Sequence, residues 1–108
     1  MDEEGVCYIV AEKDYSFGKK MNWDDAKAAV QFVKSEGYSD WKMPNRTQLL
    51  LIYQNVKKQG LGNIADDNYW SGSQSSLSYA WGASMSSGKK YEFSKKSTKK
   101  VRLIRSSK

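Results

Sequence analysis

The stretch with the richest side-chain chemistry runs from Asn68 to Arg105, NYWSGSQSSLSYAWGASMSSGKKYEFSKKSTKKVRLIR. It carries Trp70 and Trp81, the rings of Tyr69, Tyr79, Tyr91 and Phe93, and the densest run of serine and lysine. Rigid rings separated by small hydroxyl side chains suit recognition rather than bond-making. A tyrosine offers a large contact at small entropic cost, and serine offers adaptable hydrogen bonds. The chemistry written here is that of a binding module, and the residues alone do not identify its ligand.

Catalytic sets are sparse. The chain has no histidine and one cysteine, Cys7. A Ser–His–Asp triad therefore cannot form, and zinc lacks its usual nitrogen and sulfur ligands. Calcium needs roughly six to eight oxygens; Asp66, Asp67 and Asn68 are the one dense oxygen cluster, and they read as a polar loop. No glycine-rich phosphate loop is present. Asp24, Asp25 and Glu36 read as helix-surface charges. We expect no enzyme, no cofactor and no metal, with a paired-carboxylate hydrolase the one catalytic arrangement left open.

A length of 108 residues fits a single domain spanning the whole chain. The net charge of +6 is unevenly placed. Residues 89–108 hold nine basic side chains (Lys89, Lys90, Lys95, Lys96, Lys99, Lys100, Arg102, Arg105, Lys108) against Glu92 alone, while the first 88 residues are slightly acidic. A basic end on such a body favours acidic partners, nucleic acid included; the plainer alternative is a solubilising surface. Cys7 lies in the apolar run Val6–Val10, where a small buried hydrophobe is the usual case. No segment reaches the roughly 18 apolar residues of a membrane span, and Met1-Asp2-Glu3-Glu4 lacks the basic start of a secretory signal. The expectation is a soluble protein, cytoplasmic or carried on a virus or phage particle.

These side chains need elements to position them. Residues 6–10 form a β-branched apolar run, expected as a buried strand. Asn22 caps a helix with Asp25 in its first turn; Ala26, Ala29, Val30 and Val33 make one apolar face, and Gly37 stops it. Pro44 bars helix at Met43. Asn45 with Gln48 resembles a capping box opening a second helix whose face is Leu49, Ile52, Tyr53 and Val56, with Gly60 as its stop. Strands follow at Tyr69–Ser71 and at Tyr79–Met85, the latter with Tyr79, Trp81, Ala83 and Met85 on one face. A turn at residues 86–89 leads to a strand from Lys90. Val101–Arg105 is expected to alternate and to return beside the N-terminal strand. The class is α+β, two helices packed on a small antiparallel sheet with an irregular, strand-rich C-terminal third.

Asn22-Trp23, Asp40-Trp41-Lys42-Met43-Pro44-Asn45 leading to Leu49, Tyr69-Trp70-Ser71, Ala80-Trp81, Gly88 and Val101-Arg102-Leu103-Ile104-Arg105 together resemble the formylglycine-generating-enzyme-like branch of the C-type lectin fold. More narrowly, residues 20–105 are similar to the small variable proteins of diversity-generating retroelements. The resemblance implies a rigid scaffold whose last third displays replaceable, solvent-facing residues, diversified by error-prone reverse transcription at template adenines. Ser75, Ser76, Leu77, Ser78, Tyr79, Gly82, Ser84, Ser86, Tyr91, Phe93, Ser94, Ser97 and Thr98 fit that palette. Trp23, Trp41, Trp70, Trp81, Gly88, Val101 and Arg102 would be the fixed scaffold, with Lys95 and Lys96 beside them because an adenine change does not turn an asparagine codon into lysine.

The same resemblance removes two activities. Formylglycine generation uses cysteines, and Cys7 lies outside the matching region. Calcium-dependent sugar binding uses an acid–proline motif and a Trp-Asn-Asp; here Met43 precedes Pro44 and Ser71 follows Trp70. What remains is a display protein presenting a diversified surface to a receptor, another protein or a surface ligand. The alternatives are a basic nucleic-acid-binding module using Tyr91 and Phe93 among lysines, a fixed-partner structural domain of a cell surface or viral particle, and an ordinary serine-rich surface.

Overall fold

The computed structural model describes residues 2–35 and 37–106. Glu36 and Lys108, read above as a helix-surface charge and as part of the basic end, lie outside the described residues, as does Met1. The described residues form two three-stranded antiparallel sheets and two α-helices. The first sheet joins β1 (Asp2–Glu3), β2 (Val6–Val10) and β6 (Ile104–Ser106) in that order. The second joins β3 (Asn68–Gln74), β4 (Tyr79–Ser84) and β5 (Lys90–Ser94). The fold is α+β, with two sheets where one was expected. The closing segment does return to the N-terminal strand, Val10 pairing with Ile104 and Tyr8 with Ser106. Residues 101–105 do not alternate, however; all five are buried.

Helix α1 (Trp23–Val30) begins where Asn22 accepts the Asp25 N–H at 2.8 Å. It ends before Gly37. The N–H groups of Phe32 and Val33 reach back only three residues, to Ala29 and Val30, and the chain leaves as a turn that Ser35 and Tyr38 close. The apolar spacing carried Val33 along because a turn can place it on the same side as a further helical turn would. Helix α2 (Arg46–Ile52) opens with a complete capping box between Asn45 and Gln48, and continues as a single wide turn over Tyr53–Lys57.

Strand β3 divides the interior. Successive residues of a strand face opposite sides, and Tyr69 and Trp70 are both fully buried. Trp70 joins Trp23, Ala26, Val30, Trp41 and Met43 against α1. Tyr69 joins Leu49, Ile52, Ala83, Met85 and Ile104 against α2. The second sheet is thus clamped from both sides. Strand β2 is covered on one side only, so its run of apolar residues alternates in burial and Cys7 and Ile9 point outward. The expectation of a buried Cys7 is corrected on that ground.

Candidate binding surface

The scaffold residues build from inside out. Trp23, Trp41 and Trp70 are buried, and each indole N–H finds a carbonyl: Ser71 at 2.9 Å, Ser35 at 3.1 Å and Met21 at 2.8 Å. Buried indoles so satisfied act as rigid posts. Val101 is fully buried. Arg102, only 1% exposed, spends its guanidinium on Asp14 and on the carbonyls of Ala11, Gly62 and Asn63. Asp14 also accepts from the Tyr69 hydroxyl at 2.9 Å. Burial pushes the Tyr69 phenol well above its ordinary range, and the Asp14 carboxylate that accepts its proton adds to the rise, against the lowering effect of the Ala65 N–H. Gly88 takes a positive φ of 77°, and a side chain there would strike the Tyr53 ring.

Trp81 differs from the other three tryptophans. It is half-buried, with the Arg46 guanidinium 5.1 Å and the Lys90 ammonium 6.0 Å from its ring centre. Nothing local in the sequence places Arg46 there; the start of α2 is brought to β4 by tertiary packing.

Five of the displayed residues, Ser75, Ser76, Leu77, Ser78 and Tyr79, lie at the β3–β4 connection. The backbone N–H groups of Ser75 and Ser76 both donate to the Tyr79 carbonyl at 3.0 Å. The Ser76 hydroxyl accepts from the N–H groups of Tyr79 at 3.1 Å and Ser78 at 3.3 Å, and the Ser75 hydroxyl donates to the Glu92 carboxylate. A loop pinned in this way presents Leu77 at its apex, 91% exposed, with Tyr79 beside it at 47%. Ser94 pairs with Tyr79 across the sheet, and Ser97 and Thr98 follow in a turn where the Ser97 N–H and hydroxyl both donate to the Ser94 carbonyl.

The thirteen residues do not form one patch. Register sets Gly82 opposite Tyr91 and Ala80 opposite Phe93, on the Trp70 side of the sheet, while Tyr79 and Trp81 face the other way with Ser94 and Glu92. Tyr91 is exposed at the sheet edge, tilted over Phe93 at 5.6 Å. Phe93 is half-buried, edge-on to Trp70 at 5.9 Å and covered by the Lys99 ammonium at 4.2 Å. Ser86 is exposed but lies in the turn at the opposite end of β4.

Two residues expected outside are inside. Gly82 is buried, and a Cβ on it would meet the Tyr69 carbonyl at 2.6 Å and the Phe93 ring at 2.7 Å. Ser84 is buried, its oxygen accepting from the N–H groups of Ser86 and Ser87. Both belong with the scaffold because strand pairing, invisible in composition, packs them against rings and turns.

Three of the eight described basic residues of the basic end, Lys95, Arg102 and Arg105, are buried too. Lys95 is buried, its ammonium 4.5 Å from the Trp23 ring centre and 2.5 Å from the Gln74 side-chain oxygen. Arg105 pairs with Asp40 at 2.8 Å and Lys100 approaches Asp14 at 3.9 Å. Lys89, Lys90 and Lys96 remain as exposed cations, and Lys99 covers Phe93. Among the described residues no group of three acidic, cysteine or histidine side chains could hold a metal ion, and no helix is long and apolar enough to cross a membrane.

A family model described as the Lcl C-terminal domain matches residues 7–105. No curated protein sequence matches the chain.

Proposed function

The chain belongs to the Lcl C-terminal domain family, a domain of the C-type lectin-like type, and from that premise we propose that it is a ligand-binding display protein that acts without catalysis. Its recognition surface is the exposed end of the second sheet: Leu77 and Tyr79 on the pinned loop, Ser94 and Thr98 beside them, and Tyr91 around the edge. The observation carrying this reading is the pairing of Leu77, the most exposed large apolar side chain among the described residues, with a loop held by four hydrogen bonds to the Tyr79 backbone and the Ser76 hydroxyl. Exposed apolar groups on rigid backbone lose little entropy on binding.

The finer reading is that this surface is diversified, as in the variable proteins of diversity-generating retroelements. The palette supports it once Gly82 and Ser84 are moved to the scaffold. Sequencing the DNA around the gene tests it. A near-copy of the segment encoding residues 75–98, mismatched mainly at adenines and lying beside a reverse transcriptase gene, is the expected result. Its absence overturns diversification. Binding is tested separately, by selecting ligands on the intact domain and asking whether Leu77→Ser and Tyr79→Ser abolish capture of the selected ligand.

A further inference from the structure

Away from the hairpin, a cleft of about 330 Å³ opens between α1 and the start of α2, within the range of ligand-sized sites. The buried Val30, Trp41, Met43 and Gln48 line it, together with the exposed Lys27 and Lys42. None of its lining residues is acidic. Among the described residues neither lysine belongs to an ion pair. The nearby Glu3 carboxylate, which does not line the cleft, accepts from the Gln48 amide at 2.9 Å.

Lys27 also shares an indole. Its ammonium is 5.5 Å from the Trp23 ring centre, where Lys95 already sits at 4.5 Å. The Lys42 ammonium stands 5.2 Å from the Tyr8 ring centre, so each lysine rests on a ring and, among the described residues, has no carboxylate partner. At its back, Gly72 keeps the wall thin: a Cβ there would come 3.3 Å from the Met43 Cβ and 3.8 Å from the Lys27 ammonium.

We propose that this cleft binds a carboxylate carried on an apolar stem. The carboxylate sits between the ammonium groups of Lys27 and Lys42, and the stem lies on Val30, Trp41 and Met43. A bare inorganic anion would leave those apolar side chains uncovered, and a neutral apolar molecule would give neither ammonium a counter-charge. The carboxylate can belong to a free small acid or to the C-terminus of a peptide; the cleft's chemistry is the same for both.

The test is a titration of the whole isotope-labelled chain followed by amide and indole NMR shifts. The probes are phenylacetate, its neutral isostere phenylacetamide, sodium sulfate, and acetyl-Gly-Phe with a free carboxyl end. Phenylacetate should move the Gly72 amide and the Trp41 indole signals saturably, with phenylacetamide and sulfate weaker by about tenfold or more. Lys27→Gln with Lys42→Gln should weaken binding by a similar factor, while Lys96→Gln, which makes the same kind of charge change on a distant turn, should not. Gly72→Ala, which narrows the cleft while leaving both charges, should weaken it as well; unchanged signal dispersion would show that each variant folds. Tighter binding of the peptide assigns the site to chain ends, and tighter binding of phenylacetate assigns it to free acids. No saturable shift at Gly72 and Trp41, an equal response to phenylacetamide or sulfate, or an equal loss in Lys96→Gln overturns the proposal.

Discussion

Arg102 and Asp14 meet at 2.9 Å across 88 positions of sequence. Their pairing ties the loop after β2 to the segment entering β6, and the same guanidinium reaches Gly62 and Asn63 in the loop before β3. Breaking a buried pair leaves an uncompensated charge, at a cost of about 3–5 kcal/mol. Arg102→Ala should lower unfolding stability by that amount in urea denaturation. Arg102→Lys should recover little, because a single ammonium cannot reproduce a planar fork serving several acceptors.

Tyr69 gives an alkaline signature. Its folded-state pKa lies above the unfolded value, so its contribution is fully present below about pH 10, the ordinary phenol range. That contribution is lost as pH rises further, because the unfolded chain releases the proton first. Tyr69→Phe should be less stable at neutral pH, through loss of the hydrogen bond to Asp14. The gap between the two proteins should shrink above about pH 10. A gap that stays constant up to the alkaline limit of a denaturation series would contradict the buried, protonated phenol.

Asp67 works in the opposite direction. Burial raises its pKa, but the Asn68 N–H and the Lys20 ammonium outweigh burial, and the net shift is downward. A depressed carboxylate contributes stability above its unfolded pKa and loses it as pH falls through the folded one. Asp67→Asn should therefore be less stable at neutral pH and converge with the parent below about pH 4. Thermal melts across an acid series measure this.

Scaffold and display surface should separate cleanly on substitution. Gly82→Ser must force the Phe93 ring or the Tyr69 backbone aside, and overpacking of this kind costs about 1–3 kcal/mol. Leu77→Ser and Tyr79→Ser remove exposed groups and should change stability by less than about 0.5 kcal/mol. Chemical denaturation of the three variants decides it. A destabilised Leu77→Ser, or a neutral Gly82→Ser, would undo the division drawn between frame and surface.

Local signals in the sequence read well where the physics is local. Asn22 and Asn45 both cap helices because an asparagine oxygen and an N–H three residues on need nothing else. Pairing across the chain was not legible. In β4 and β5 an odd-numbered residue faces an even-numbered one, Tyr79 with Ser94 and Gly82 with Tyr91, so alternation within each strand could not tell which rings share a face. The charge count was equally blind to Asp14 and Asp40, which draw Arg102 and Arg105 inward from distant positions. Trp81 read as scaffold alongside the other three tryptophans; the arrival of Arg46 from α2 shows it as a half-covered surface ring.

Adjacent residues Tyr69 and Trp70 serve two different interiors, and this governs how far the strand can drift. Sliding β3 by one position would drive an indole into the space cut for a phenol and strand the hydroxyl that Asp14 accepts, together with the indole proton that Met21 accepts. The ladder is therefore keyed like a lock with two wards, and neighbouring loops can change length or chemistry without shifting its phase.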